Sequence, residues 1–152
     1  WATFLRGRLD GHGSLTGGLE LAGWKLVYRD TPNDAYKAQE KRAKAALLAY
    51  SLGATVLDSG TVGDVIWDSA AFNAGLAPGM KVIAVDGREY SSQRLKDAVA
   101  TAAKDKAPIV LLVKQFDRIE TMNIDYHSGL QYPVLERIAG KPDRLADLWK
   151  AR

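Results

Sequence analysis

The 152-residue sequence contains no cysteine, which excludes a disulfide framework and thiolate metal sites and leaves the redox compartment undetermined. It also lacks an apolar run of the roughly 20 residues that a membrane-crossing helix needs, so no membrane insertion is expected. Charge of one sign is scarce. A net +3 is too weak an excess to argue for a nucleic-acid partner. Histidine is limited to His12 and His127, neither with a second histidine or carboxylate at ligand spacing. The His-Glu-x-x-His pattern, which would put two zinc ligands on one helical face, is missing, as are a nucleophile elbow and a phosphate loop. What remains is ordinary globular composition, 47% hydrophobic and 26% charged, enough for one domain with a sizeable core.

The most informative stretch runs from Val62 to Gly87. Val62, Val65 and Ile66 read as a strand. Ser69 then offers an N-cap hydroxyl for a helix of about a turn and a half over Ala70, Ala71, Phe72 and Ala74. Gly75 is placed to end that helix in the left-handed region, with Leu76 folding back over its last turn. Pro78-Gly79 makes a turn, Met80 to Val85 a strand expected to be covered on both faces, and Asp86-Gly87 a hairpin. This order, with Ala-Gly-Leu followed by Pro-Gly-Met-x-Val-Ile-x-Val-Asp-Gly, resembles the heart of a PDZ domain. The resemblance implies an α+β fold, a small partly open β-barrel or sandwich of five to six strands with two helices. N- and C-terminal helical extensions would flank it.

The chain begins Trp1-Ala2-Thr3-Phe4-Leu5 without an initiator Met or a signal-peptide pattern, and Trp1, Phe4, Leu5 and Leu9 fall at helical spacing. This reads as a fragment of a longer protein, with residues 1–23 ending a preceding region and forming a linker. Asp10 to Gly18 has loop composition, and Thr16 is a cap for a short helix through Ala22. Trp24 to Tyr28 has strand composition. Residues 24–126 are the expected PDZ-like domain, with a helical insertion near 34–46 (helix over 34–45) and a strand over 47–50. The insertion's basic residues Lys37, Lys41, Arg42 and Lys44 read as a solvated helix face. Ser91 or Ser92 caps a second helix through Leu95, Ala98, Val99 and Ala102, followed by a strand from Ile109 and a partner strand from Ile119 to Tyr126. Residues 127–152 form a C-terminal extension, where Pro142 suits the first position of a helix carrying Leu145, Leu148 and Trp149.

A PDZ-like peptide groove needs a loop of backbone amides for a carboxylate, a strand edge for an extended peptide, and a helix wall. Ser51-Leu52-Gly53-Ala54 matches the family's loop pattern of any residue, apolar, Gly, apolar. Thr55 and Val56 would follow on the binding strand. On the helix, Ser92, Lys96 and Val99 share a face at i, i+4 and i+7. By the resemblance these nine residues are the candidate peptide-binding site. The chain departs from the family at two of them. Ser92 stands where many PDZ domains place a histidine, and Ala54 is smaller than the usual apolar residue.

The flanks carry a second resemblance. Leu19-Glu20-x-Ala22-Gly23-Trp24-x-Leu26-Val27-Tyr28, and Asp125-Tyr126-His127-x-Gly129-Leu130-x-Tyr132-Pro133-x-Leu135-Glu136-Arg137-Ile138, look like the C-terminal part of glycyl aminopeptidase-like zinc metallopeptidases. Members carry a thermolysin-like catalytic domain followed by a PDZ domain. The resemblance implies a non-catalytic peptide-binding module, taking up peptide C-termini or strands by β-augmentation or positioning substrate. It implies no cofactor here, with zinc belonging to the parent's catalytic domain, and as partner a peptide or protein C-terminus or that catalytic domain itself. One alternative is a structural appendage whose groove is vestigial, closed by the 34–48 insertion or by a neighbouring domain. Another is the PDZ domain of a trypsin-like heat-shock protease, which leaves the Tyr-His and Tyr-Pro tail unexplained.

Overall fold

The computed structural model describes residues 17–150. The expectations for residues 1–16, including the helix end, the cap at Thr16 and the surroundings of His12, lie outside them. The described chain is α+β. Its elements are α1 (Gly17–Leu21), β1 (Trp24–Arg29), α2 (Asp34–Ala43), β2 (Ala45–Leu48), β3 (Ala54–Leu57), β4 (Val62–Val65), α3 (Ala70–Asn73), β5 (Lys81–Val85), β6 (Arg88–Glu89), α4 (Ser92–Asp105), β7 (Ile109–Gln115), β8 (Arg118–Ile124), β9 (Tyr132–Arg137) and α5 (Arg144–Trp149). The strands form three open sheets, ordered β1-β9, β2-β3-β4 and β6-β5-β7-β8. None closes into a barrel. The described residues fall into two compact units, one of residues 29–132 and one of residues 17–28 with 133–150.

In the larger unit the order strand, strand, short helix, strand, hairpin, long helix, strand is the PDZ-like order read from the sequence. Seven strands build its two sheets, one more than the five to six that the resemblance implies. The local grammar of the 62–87 stretch is realised residue by residue. Ser69 Oγ accepts the Phe72 amide at 3.2 Å. At the end of α3, Gly75 adopts φ +90°, Gly75 N donates to Phe72 O and Leu76 N to Ala71 O, the paired bonds of a Schellman motif. Asp86 and Gly87 both take positive φ, as a two-residue type I′ hairpin requires. Along α4, Leu95, Ala98, Val99 and Ala102 are buried, the apolar stripe expected, with Ser91 as N-cap.

Several expectations need correction. α2 stops at Ala43, and the strand foreseen at 47–50 lies at Ala45–Leu48. Lys44 takes the left-handed conformation and its amide caps Glu40 O, so the chain extends at once. Ala45 and Ala46, good helix formers, are then buried in the sheet: packing overrides propensity. β5 is not covered on both faces. Met80, Val82 and Val85 are buried, while Lys81 is exposed and Ile83 and Ala84 are half-buried, because this antiparallel sheet presents one side to solvent. β8 runs from Arg118 to Ile124 rather than Ile119 to Tyr126.

In the smaller unit, β9 was not foreseen; Tyr132–Arg137 leaves the apparent tail to pair with β1. Arg144, not Pro142, is the first residue of α5, and Asp143 caps it, its carboxylate accepting the Ala146 amide at 2.9 Å. The same carboxylate accepts from Trp24 Nε1 at 2.9 Å, and the Arg137 guanidinium lies 5.3 Å over the Trp24 ring while donating to Gly23 O. The amide of Ala146 first, then the Trp24 indole and the Arg137 charge, holds the Asp143 carboxyl below the ordinary carboxylate range. Gly23 and Trp24 of the upstream flanking motif therefore meet Arg137 of the downstream one.

Candidate peptide groove

All three parts expected of a groove are present, and the chain itself fills the space they define. The loop between β2 and β3 turns at Ser51-Leu52-Gly53. Gly53 sits at φ +80°, where an L side chain is strained, and a Cβ there would stand 2.1 Å from Ser69 Cβ. The loop's carbonyls are tied down as well: Leu52 O accepts from Ala71 N at 2.9 Å and Gly53 O from Ile66 N at 2.7 Å. Ser51 is buried, and its Oγ accepts the Gln131 amide at 3.0 Å.

The loop amides face inward. Ser51 N and Gly53 N both donate, at 3.0 Å, to one acceptor, the carbonyl of Leu48. Two backbone amides converging on one oxygen is the arrangement by which an anion nest holds a carboxylate. Leu48 is the last residue of β2, and β2 runs antiparallel to β3 in the register Ala45↔Leu57, Ala46↔Val56, Leu47↔Thr55, Leu48↔Ala54. Strand β3, which carries Ala54, Thr55 and Val56, is central in its sheet, with β2 on one edge and β4 on the other. The edge foreseen for β-augmentation is thus paired with β2.

Helix α4 packs against β2. Val99 is fully buried in one cluster with Leu48, Leu52, Val56 and Leu95. Ser92 Oγ donates to Asp58 Oδ1 at 2.5 Å and lies 3.2 Å from Tyr90 Oη, so its hydroxyl is engaged. Lys96 Nζ meets Glu40 Oε2 at 2.6 Å, with the two side chains only 16% and 11% exposed.

The alternative in which the 34–48 insertion closes the groove covers this stretch, but it does not single out Tyr36, Glu40 or β2 within it. Glu40 Oε1 accepts the Leu47 amide at 3.1 Å, and Tyr36 Oη donates to Leu47 O at 2.8 Å. Tyr36 stands edge-on to Tyr132, ring centroids 5.0 Å apart. Burial, with Glu40 nearby, pushes both phenols up to about 12, which keeps Tyr36 a neutral donor. Their spacing held a clue, since Tyr36 and Glu40 lie four apart on one helical face.

Among the described residues no three His, Cys, Asp or Glu side chains converge. His127 instead bridges Asp125 Oδ1, at 2.6 Å from Nε2, and the Ala102 carbonyl, at 3.1 Å from Nδ1. That donor set does not fit zinc.

No protein-family model matches the chain, and no curated protein matches it. Among solved structures it is similar to an aminopeptidase N family protein from Idiomarina loihiensis, at 22% identity and a TM-score of 0.59 over 95% of this chain. It spans only 25% of that longer chain. It also overlaps the HtrA3 PDZ domain bound to a phage-derived ligand (FGRWV), at 16% identity over 74% of this chain and 92% of that one, but the TM-score of 0.38 is too low to count as a shared fold. The chain therefore has the fold of a region making up about a quarter of an aminopeptidase N family protein.

Proposed function

We propose that this chain is a non-catalytic PDZ-like module of a larger zinc aminopeptidase-type protein, serving there as a structural appendage whose peptide groove is filled by its own strand. The parent assignment is supported by the flanking motifs and by a fold shared with part of an aminopeptidase N family protein. Zinc and the peptidase chemistry belong to the parent's catalytic domain, which is also the module's expected partner.

One observation carries the reading of the groove. The Leu48 carbonyl takes the Ser51 and Gly53 amides, while β2 takes the edge of β3. A free peptide would need both positions. Of the two roles weighed from the sequence, this favours the appendage over a module that binds free C-termini through Ser51–Val56, Ser92, Lys96 and Val99.

Amide spectra of the chain, titrated with a library of peptides bearing free or amidated C-termini, test this. The expected result is no saturable shift at residues 51–56 or on α4. Saturable shifts there that vanish on amidation would overturn the proposal and restore the peptide-binding reading.

A further inference from the structure

We infer that β2 is a resident ligand held by a clasp from α2, and that loosening the clasp opens the groove to a peptide with a free C-terminal carboxylate and an aliphatic last residue. This rests on the reading that the chain fills its own groove. Leu47 shows how the clasp works. With Leu47↔Thr55 as a non-hydrogen-bonded pair, the backbone N–H and C=O of Leu47 turn outward from β3. Left bare, they would make β2 an ordinary open edge. Instead α2 covers both, through Glu40 Oε1 on the N–H and Tyr36 Oη on the carbonyl. The second oxygen of Glu40 reaches Lys96 on α4. One carboxylate thus ties helix, strand and groove wall together.

α2 has no buried residue of its own. Its hold on the unit includes these few polar contacts and the Tyr36–Tyr132 ring pair but no buried side chain, so its release costs less than that of an element with a buried face. The strand it retains is different in kind. Ala46 and Leu48 are 0% and 1% exposed, and they alternate with the outward Leu47. The space β2 occupies therefore takes an aliphatic side chain at its end and a small one two residues earlier.

When β2 leaves, Ser51 N and Gly53 N lose the Leu48 carbonyl together. A carboxylate is the stronger acceptor for two converging N–H groups, because charge-assisted hydrogen bonds are roughly twice as strong as neutral ones. The resident strand prevails only because it is tethered, which gives it a high effective concentration at the site. Loosening the tether removes that advantage and leaves the amides to the incoming carboxylate.

The test uses the full chain, its Tyr36→Phe/Glu40→Ala variant, and a labelled peptide ending in Ala-Ala-Leu-Leu with a free or amidated terminus. Losing a neutral and a charge-assisted hydrogen bond should raise exchange of the Ala46, Leu47 and Leu48 amides about 10- to 100-fold. The variant should bind the free-acid peptide at least about tenfold more tightly than the amide, while the unaltered chain binds neither. A folded variant that exchanges faster at 46–48 yet binds no peptide would overturn the inference, as would one whose 46–48 amides stay as protected as before. Equal binding by the unaltered chain would instead overturn the self-filled groove beneath it.

Should the variant fail to fold, native-state exchange of the unaltered chain in low urea decides. The 46–48 amides opening below the global unfolding free energy of β5 and β7 supports the clasp. Their exchange only with global unfolding contradicts it.

Discussion

Leu48→Ala is expected to cost about 2–5 kcal/mol of folding stability, the range for truncating a fully buried leucine. Leu48 is 1% exposed and shares a cluster with Leu52, Val56, Leu95 and Val99, drawn from the loop, the central strand and the groove helix. Removing three of its carbons leaves a void between walls that cannot close, because β3 is held by β4 and the loop by Ala71 and Ile66. Leu47→Ala is the internal control, since Leu47 faces the other way and is only half-buried. It should cost well under half as much. Urea denaturation with an unchanged m-value reads both. If β2 were an incidental surface edge, both truncations would fall within about 0.5 kcal/mol of the unaltered chain.

Gly53→Ala should be as damaging through a different cause. The residue sits at φ +80°, and the added Cβ would meet Ser69 Cβ at 2.1 Å and Oγ at 2.4 Å. The left-handed conformation and the overpacking together cost roughly 2–5 kcal/mol. Ser69 cannot rotate away from its Cβ, and its hydroxyl caps α3 through the Phe72 amide. Relief therefore has to come from displacing the cap or the loop, and either would weaken the amide pair on Leu48. The expected readout is a large loss of thermal stability together with faster exchange at Ser51 and Gly53. A folded variant of unchanged stability would show that the loop is not held against Ser69.

Much of this architecture is legible from residues with local meaning. Ser69, Gly75, Leu76, Asp86 and Gly87 each act within a few residues of themselves, and each does what its chemistry suggests. The stripe Leu95, Ala98, Val99, Ala102 is equally plain, because helical periodicity needs no knowledge of what it packs against. The failures share one cause, since they depend on partners far along the chain. Ala45 and Ala46 look helical until β3 is there to pair with them. Tyr132 to Arg137 looks like a tail until β1, more than a hundred residues earlier, receives it. The nine candidate groove residues do gather around one place. The alternative in which the 34–48 insertion closes the groove points to this stretch, but nothing local in Ala-Ala-Leu-Leu shows that residues 45–48 pair with β3.

In the ligand-free chain β2 lies against β3, and cross-strand NOEs report this directly. The prediction is a set of contacts linking Ala46 with Val56 and Leu48 with Ala54, with slow exchange at Ser51 N and Gly53 N. Absence of those contacts, with Thr55 and Val56 showing a solvent-open edge, would contradict it.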